Sequence, residues 1–256
     1  MRILAHRGYL INGDPENSIP AFQTAIHHHG DGLEFDIHLT ADNQFICYHD
    51  ESLSKMGLNS LVRDLTMKEI KKIDLNENGI KIPSLEEILE IFTNKTLLNI
   101  EVKFLEGGVL LIDLLNQYNV NFEISNLIIS SFNIQPLKEI KEYDENVPIA
   151  LLCYLPKIDL ALELNCDAIH TFYDPVPPEW VKFHSRALTK FYFNYITSKG
   201  FIEARKSGLQ INLYPVNDKN YLKKALEQKV DGIITDNVEN GIKMRAEFQR
   251  NEPSNL

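Results

Sequence analysis

Apolar and polar positions along the chain alternate between two periods. Short runs rich in β-branched residues recur at Arg2–His6, Gly32–Thr40, Phe45–His49, Leu97–Phe104, Leu127–Phe132, Ile149–Tyr154, Asp167–Phe172, Gln210–Val216 and Gly232–Thr235. Between most of them lie segments with helical spacing. In Ser18–His29, the residues Ile19, Phe22 and Ile26 share one face. In Ser84–Phe92, Leu85, Ile88 and Leu89 do the same, and Ser84 with Glu87 has capping-box spacing. Val109–Tyr118, Gln135–Tyr143, Asp159–Leu164, Tyr221–Gln228 and Val238–Phe248 continue the series. Repeated strand–helix units predict a parallel sheet. The turn Ala41-Asp42-Asn43 predicts local pairing of Phe45–His49 with the end of Gly32–Thr40. Eight strands then remain for the main sheet, the number that closes a TIM (β/α)8 barrel. The expectation is one barrel domain over residues 1–256 with a short inserted excursion at about 50–83. A second irregular stretch, Tyr173–Tyr195, is aromatic and proline-marked, contains Trp180, and is placed to cover one end of the barrel.

The alternation also sorts charges by face. In Leu33–Leu39, the residues Leu33, Phe35, Ile37 and Leu39 make an apolar face, opposed by Glu34, Asp36 and His38. In Leu98–Phe104, Asn99, Glu101 and Lys103 oppose Leu98, Ile100, Val102 and Phe104. If the apolar faces lie under the helices, Glu34, Asp36 and Glu101 point into the barrel towards its C-terminal end, where barrel enzymes carry their chemistry. Buried carboxylates are costly unless paired or metal-bound. Two readings follow: a hard-cation site with oxygen ligands, suited to Mg²⁺ or Ca²⁺, or an ion-pair network with Lys103 neutralising Glu101. His6 and His49 stand at strand ends beside this cluster, and imidazoles titrating near ~6.5 suit acid/base work.

Composition narrows the class. The chain has 256 residues, 44% hydrophobic and 24% charged, with a net charge of −10. These are globular values and exclude a disordered or collagen-like chain. The acidic balance disfavours nucleic acid as a partner, and at first sight a phosphorylated substrate too. No apolar run reaches the ~18 residues of a membrane span. The N-terminus lacks the roughly 7–15-residue apolar core of a secretory signal. Cys47, Cys153 and Cys166 show no CxxC spacing. Buried reduced thiols and a cytoplasmic location are expected.

The motifs are similar to those of the glycerophosphodiester phosphodiesterases. His6-Arg7-Gly8 resembles the HRG motif of that family and Pro15-Glu16-Asn17-Ser18 its PEN[TS] motif. Glu34-Phe35-Asp36 resembles ExD, followed by Leu39-Thr40 and Asp42; His49-Asp50 resembles HD. Ile82-Pro83-Ser84-Leu85-Glu86-Glu87 resembles IPxLEE, Glu101-Val102-Lys103 ExK, Ser131-Phe132 SF, and Asp231–Asp236 the terminal DGIxTD. The resemblance implies a divalent cation on Glu34, Asp36 and Glu101 and acid/base roles for His6 and His49. It also implies phosphodiester contacts from Arg7 and Lys103, with Asn17 shaping or touching the substrate site. The implied activity is cleavage of a small phosphodiester to glycerol 3-phosphate and an alcohol. A lysophospholipase D-like enzyme and a non-catalytic barrel are the alternatives. The sequence departs from the family pattern at Leu53-Ser54-Lys55-Met56, where an Arg-Thr pair is usual after HD. It departs again at Tyr214-Pro215-Val216-Asn217, where WTVN is usual, and at Val238, where proline is usual.

Overall fold

A computed structural model describes residues 1–154, 156–172 and 199–251. Its strands are β1 (Arg2–His6), β2 (Gly32–Leu39), β3 (Phe45–Cys47), β4 (Leu97–Val102), β5 (Leu127–Ser131), β6 (Ile149–Cys153), β7 (Ala168–Phe172), β8 (Gln210–Tyr214) and β9 (Gly232–Thr235). All except β3 are parallel, and β1 pairs with both β2 and β9, so eight strands close a (β/α)8 barrel. The helices are α1 (Ile19–His27), α2 (Met67–Ile70), α3 (Leu85–Phe92), α4 (Gly108–Gln117), α5 (Ile134–Tyr143), α6 (Ile158–Glu163), α7 (Lys199–Lys206), α8 (Lys219–Glu227) and α9 (Val238–Asn251). Ser84 caps α3 through the capping box read from the sequence. Helix α7 was not foreseen: Lys199–Lys206 carries few apolar residues to mark a face, and tertiary packing of Phe201 and Ala204 supplies what periodicity lacked. The aromatic stretch Tyr173–Tyr195, with Trp180, lies outside the described residues.

The predicted hairpin is present. β3 runs antiparallel to the end of β2, with Ile37 opposite Cys47 and Leu39 opposite Phe45. Ile37 also pairs with Val102 of β4 on its other side. β3 therefore occupies the edge that β1 leaves free after His6, which brings Tyr48 and His49 alongside the end of β1. Residues of the excursion form 3-10 turns at Leu53–Met56 and Val62–Asp64 before α2. They close a separate apolar cluster of Ile46, Tyr48, Leu53, Val62, Ile70 and Ile82. Asp42 ties the hairpin turn to α2, accepting from Thr40 Oγ1 at 2.7 Å and Met67 N at 2.9 Å.

The interior has three levels. Outward-facing strand residues such as Ile3, Leu33, Phe35, Ile100 and Ile129 form the main core beneath the helices. Inward, Leu4, Leu97, Ile128, Ala150, Ala168 and Ile234 form an apolar plug. One step further along the strands sit Asn99, Ser130, His170 and Asn212, all buried and polar. Burial drives the His170 pKa down to about 3, so this imidazole is neutral. Asn212 lies 2.9 Å from its Nε2. His170 is thus an internal packing histidine rather than a cavity residue. The three cysteines are free and buried, as expected. Among the described residues, no helix is long and apolar enough to cross a membrane.

Candidate active site at the C-terminal end of the barrel

The motif residues occupy inner positions level with the polar layer, where Glu34 pairs with Asn99, and beyond it. Glu34 lies opposite His6 in the β1–β2 register, and Asp36 lies opposite Glu101 in the β2–β4 register. The carboxylates of Glu34, Asp36 and Glu101 are buried, with ligand oxygens within 4.8 Å of one another. Lys103 pairs with Glu101 and stands 2.9 Å from Asp36 Oδ1. Arg7 Nε is 3.2 Å from Asp36 Oδ2, a charge contact without hydrogen-bond alignment. Arg7 also reaches Glu16 at 3.2 Å.

These contacts explain the electrostatics. Burial pushes the Glu34 pKa up, and the neighbouring Asp36 and Glu101 add to it against an opposing pull from His6. Burial likewise raises Glu101, with Asp36 adding. Burial acts upward on Asp36 too, but Lys103 and Arg7 outweigh it and hold its pKa below the ordinary value. Among the described residues, Glu34 has no ion-pair partner; its side chain accepts only the Arg7 backbone N–H, at 3.2 Å. With Lys103 and Arg7 turned to Asp36 and Glu101, Glu34 is relieved by a proton, its pKa pushed up to about 8 by burial. Converging hard oxygens that hold a proton for want of a counter-charge fit a divalent cation such as Mg²⁺ or Ca²⁺. The ion-pair reading of Lys103 and Glu101 therefore describes part of the cluster and leaves Glu34 unexplained.

The histidines flank this cluster, each anchored through Nδ1. His6 Nδ1 is 2.7 Å from Asp236 Oδ1, and His49 Nδ1 is 2.6 Å from Asp50 Oδ1. Both contacts leave Nε2 as the ring's other hydrogen-bonding atom. Burial alone depresses the His6 pKa, but the Asp236 hydrogen bond and Glu34 overcome it and raise it. Asp236 is itself held by the Asn217 side chain, whose Nδ2 donates to Asp236 Oδ2 and whose Oδ1 accepts from Asp236 N at 2.8 Å and from Thr235 Oγ1 at 3.0 Å. Asp50 is paired instead with Lys55 at 2.7 Å, the residue standing in place of the expected arginine.

Local backbone constraints account for the HRG and PEN segments. Arg7 and Asn17 have φ of 56° and 55°, and Gly8 has φ of 98°. A Cβ at Gly8 would lie 2.6 Å from Ala21 Cβ, so only glycine lets α1 pack against the end of β1. Asn17 was expected beside the substrate. Its position is behind the site: it is fully buried, its Nδ2 donates to Asp36 Oδ2 at 2.9 Å, and its Oδ1 accepts from Asp36 N and Cys47 Sγ. It orients a carboxylate, because both ends of its amide are already used.

A cavity of about 250 Å³ joins these groups. Its charged side holds His6, Arg7, Glu34, His49, Glu101 and Lys103; its other side holds Phe132, Leu152, Tyr154, Phe172 and Tyr214. Asn99 lines its floor with neither amide atom hydrogen-bonded. The sequence reading gave no role to Asn99, Asp236, Asn217 or Lys55. Alternation placed Asn99 on the inner face, whereas the other three depend on which strand ends meet when the barrel closes.

Residues 6–240 match the Glycerophosphoryl diester phosphodiesterase family. A glycerophosphodiester phosphodiesterase of Caldanaerobacter subterraneus subsp. tengcongensis is 32% identical over 93% of this chain and 94% of its own. Among solved structures, a glycerophosphodiester phosphodiesterase from Parabacteroides distasonis superposes with a TM-score of 0.78 at 22% identity, covering 96% of this chain and 97% of that one. A phosphodiesterase from Oleispira antarctica, solved in complex with the product sn-glycerol-3-phosphate, has a TM-score of 0.76 at 20% identity, with 96% and 97% covered. With the match running from the first histidine to the last helix, this chain belongs to the glycerophosphoryl diester phosphodiesterase family of enzymes.

Proposed function

We propose that the protein hydrolyses glycerophosphodiesters to glycerol 3-phosphate and an alcohol, using a divalent cation and a histidine pair. The observation that carries this reading is the pair of Nδ1-anchored imidazoles on the cavity lined by Glu34 and Glu101, with Asp36 buried beside them. The sn-glycerol-3-phosphate bound to the Oleispira antarctica relative supports the identity of the product.

Glu34, Asp36 and Glu101 would hold the cation, which supplies Lewis-acid polarisation of the phosphoryl group when bound. Arg7 offers a planar fork to phosphoryl oxygens and Lys103 a compact charge. Both now lean on Asp36, so cation binding frees part of their charge for the substrate. Asp236 and Asp50 fix the ring orientation of His6 and His49. One imidazole accepts the proton of the attacking hydroxyl as its oxygen bonds to phosphorus. The other donates a proton to the ester oxygen as the P–O bond to the alcohol breaks. One water is consumed overall, and both imidazoles regain their starting states by proton exchange with solvent. Each such transfer is worth about 10²–10⁴-fold.

The net charge of −10 does not oppose an anionic substrate, because the cation, Arg7 and Lys103 set the local field. The remaining acidity disfavours long polyanions, in keeping with a small soluble diester and a cytoplasmic setting. The test is enzymatic release of glycerol 3-phosphate by the purified chain, before EDTA, after EDTA, and after Mg²⁺ or Ca²⁺ is restored. Loss and recovery of release is the expected result. No release from any diester with cation present would overturn the hydrolase reading in favour of a binding barrel.

A further inference from the structure

The hairpin delivers His49 to the cavity, yet its ladder ends before His49 is reached. The last rung is Tyr48 N donating to the Asp36 carbonyl at 3.1 Å. The next β2 carbonyl on that edge, Glu34, already accepts from Arg7 N at 2.8 Å. The His49 peptide therefore lies beyond the sheet, in half-buried chain ahead of the 3-10 turn at Leu53–Met56. Its carbonyl needs a partner from elsewhere, and His38 supplies one. His38 Nε2 is 3.1 Å from the His49 carbonyl oxygen. A carbonyl only accepts, so Nε2 carries the proton and donates it. His38 follows Glu34 and Asp36 on the inner face of β2, stands opposite Ile46 of β3, and is buried. The proton transfers described above give it no part.

We propose that His38 is a positioning residue: by holding the His49 carbonyl it ties the loop that carries the His49 ring to a strand of the barrel. The two catalytic imidazoles differ in this need. His6 belongs to β1 and is anchored by Asp236, directly after β9, so both ends of that contact rest on barrel strands. His49 is anchored by its own neighbour Asp50, which pairs with Lys55 five residues further on. That trio fixes the ring relative to the loop and leaves the loop free to carry all three groups together. The His38 contact removes this freedom, because β2 is hydrogen-bonded on both edges. On its far side His38 borders a groove of about 600 Å³ with Glu51, Arg63 and Lys103. Without the imidazole, water from that groove would satisfy the carbonyl but not fix its place. The inference rests on the hydrolase reading for what His49 does, and not for where His49 is held.

The experiment measures kcat and KM of the full chain for a diester it cleaves, with Mg²⁺ saturating, in wild type, His38→Leu and His38→Gln. His38→Leu is expected to lower kcat about 10- to 100-fold with KM changed less than about twofold, because a ring displaced by about 1 Å loses its alignment. Gln places an amide N–H near the same point, and is expected to recover all but about threefold of that loss. In a His49→Ala background, His38→Leu is expected to cost less than about twofold more, since the ring it positions is gone. His38→Ser, too short to reach the carbonyl, replaces His38→Leu if that variant does not fold. An unchanged kcat, a loss confined to KM, a Gln variant as slow as Leu, or an equal loss with and without His49 would each overturn the proposal. If no diester is cleaved, the hydrolase reading fails, and the His49 Cε1–H NMR signal, assigned by its absence in His49→Ala, decides the positioning. A sharp single signal in wild type and His38→Gln that broadens or doubles in His38→Leu upholds it; the same signal in all three refutes it.

Discussion

The two sides of the cavity mouth are held in place by opposite physics. On the side of β1, β2 and β4, buried carboxylates and basic groups are fixed by charge contacts and hydrogen bonds with Asn17, Asp236 and Asp50. On the side of β5 to β8, four rings are fixed by contact with one another. Desolvated carboxylates cost several kcal/mol when uncompensated, whereas each aromatic pair contributes about 0.5–1.5 kcal/mol. The proposed chemistry therefore sits on the side that is costlier to bury, and the opposite side helps to hold the mouth together. A cation bound by Glu34 would remove much of that imbalance.

This contrast is broken most severely at the carboxylates. Asp36→Asn or Glu101→Gln should lower kcat/KM by about 10⁴-fold or more, comparable to EDTA, by removing both a ligand and the charge that retains Arg7 or Lys103. Calorimetric Mg²⁺ titration checks it, since heats of binding should vanish alongside turnover. The histidine pair comes next. His6→Ala and His49→Ala should each reduce kcat by about 10²–10⁴-fold, and the double variant by far less than the product of the two. Single-turnover rates at saturating cation would expose additive losses, which would mean the two rings do not act together. The anchors come third. Asp236→Asn and Asp50→Asn should cost roughly 10–100-fold in kcat with little change in KM, because they orient rings rather than hold substrate; a change confined to KM would contradict that role.

The smallest effect concerns stability beneath the aromatic side. His170 has a folded pKa of about 3 and an unfolded value near ~6.5. Between these values the unfolded chain binds a proton that the folded chain does not. Its contribution is complete above pH ~6.5 and is lost as pH falls towards 3, by up to about 1.4 kcal/mol per pH unit. Urea unfolding between pH 4 and 6.5 should therefore show a shallower pH dependence in His170→Gln than in wild type. Parallel curves would mean the imidazole is not kept neutral.

The same two sides differ in how far the sequence revealed them. Glu34, Asp36 and Glu101 were legible because strand alternation puts them on the inner face, and His6 and His49 because they sit where apolar runs stop. The hairpin was legible from its turn residues. The partners of the histidines were not. Asp236 meets His6 only because β9 pairs with β1, which sets Thr235 beside Ala5, and Lys55 reaches Asp50 only after a 3-10 turn. Asn17 looked like a substrate contact, but its φ of 55° and its burial turn the amide onto Asp36. The aromatic circuit joins residues 132, 154, 172 and 214, spaced some twenty to forty positions apart, which no local pattern links. Helix α7 was missed for want of an apolar stripe.

The hairpin strand β3 has a consequence for the solubility of the chain. Because β1 ends at His6, the last three residues of β2 would otherwise present an unpaired strand edge at the mouth, a template for joining another molecule's strand. Phe45–Cys47 covers that edge, and the Tyr48 N–H continues the ladder onto the Asp36 carbonyl at 3.1 Å. The segment that delivers His49 is thus also a guard against intermolecular sheet growth. Trimming this hairpin would expose that edge as well as remove an imidazole, so one segment serves both the ladder and the site.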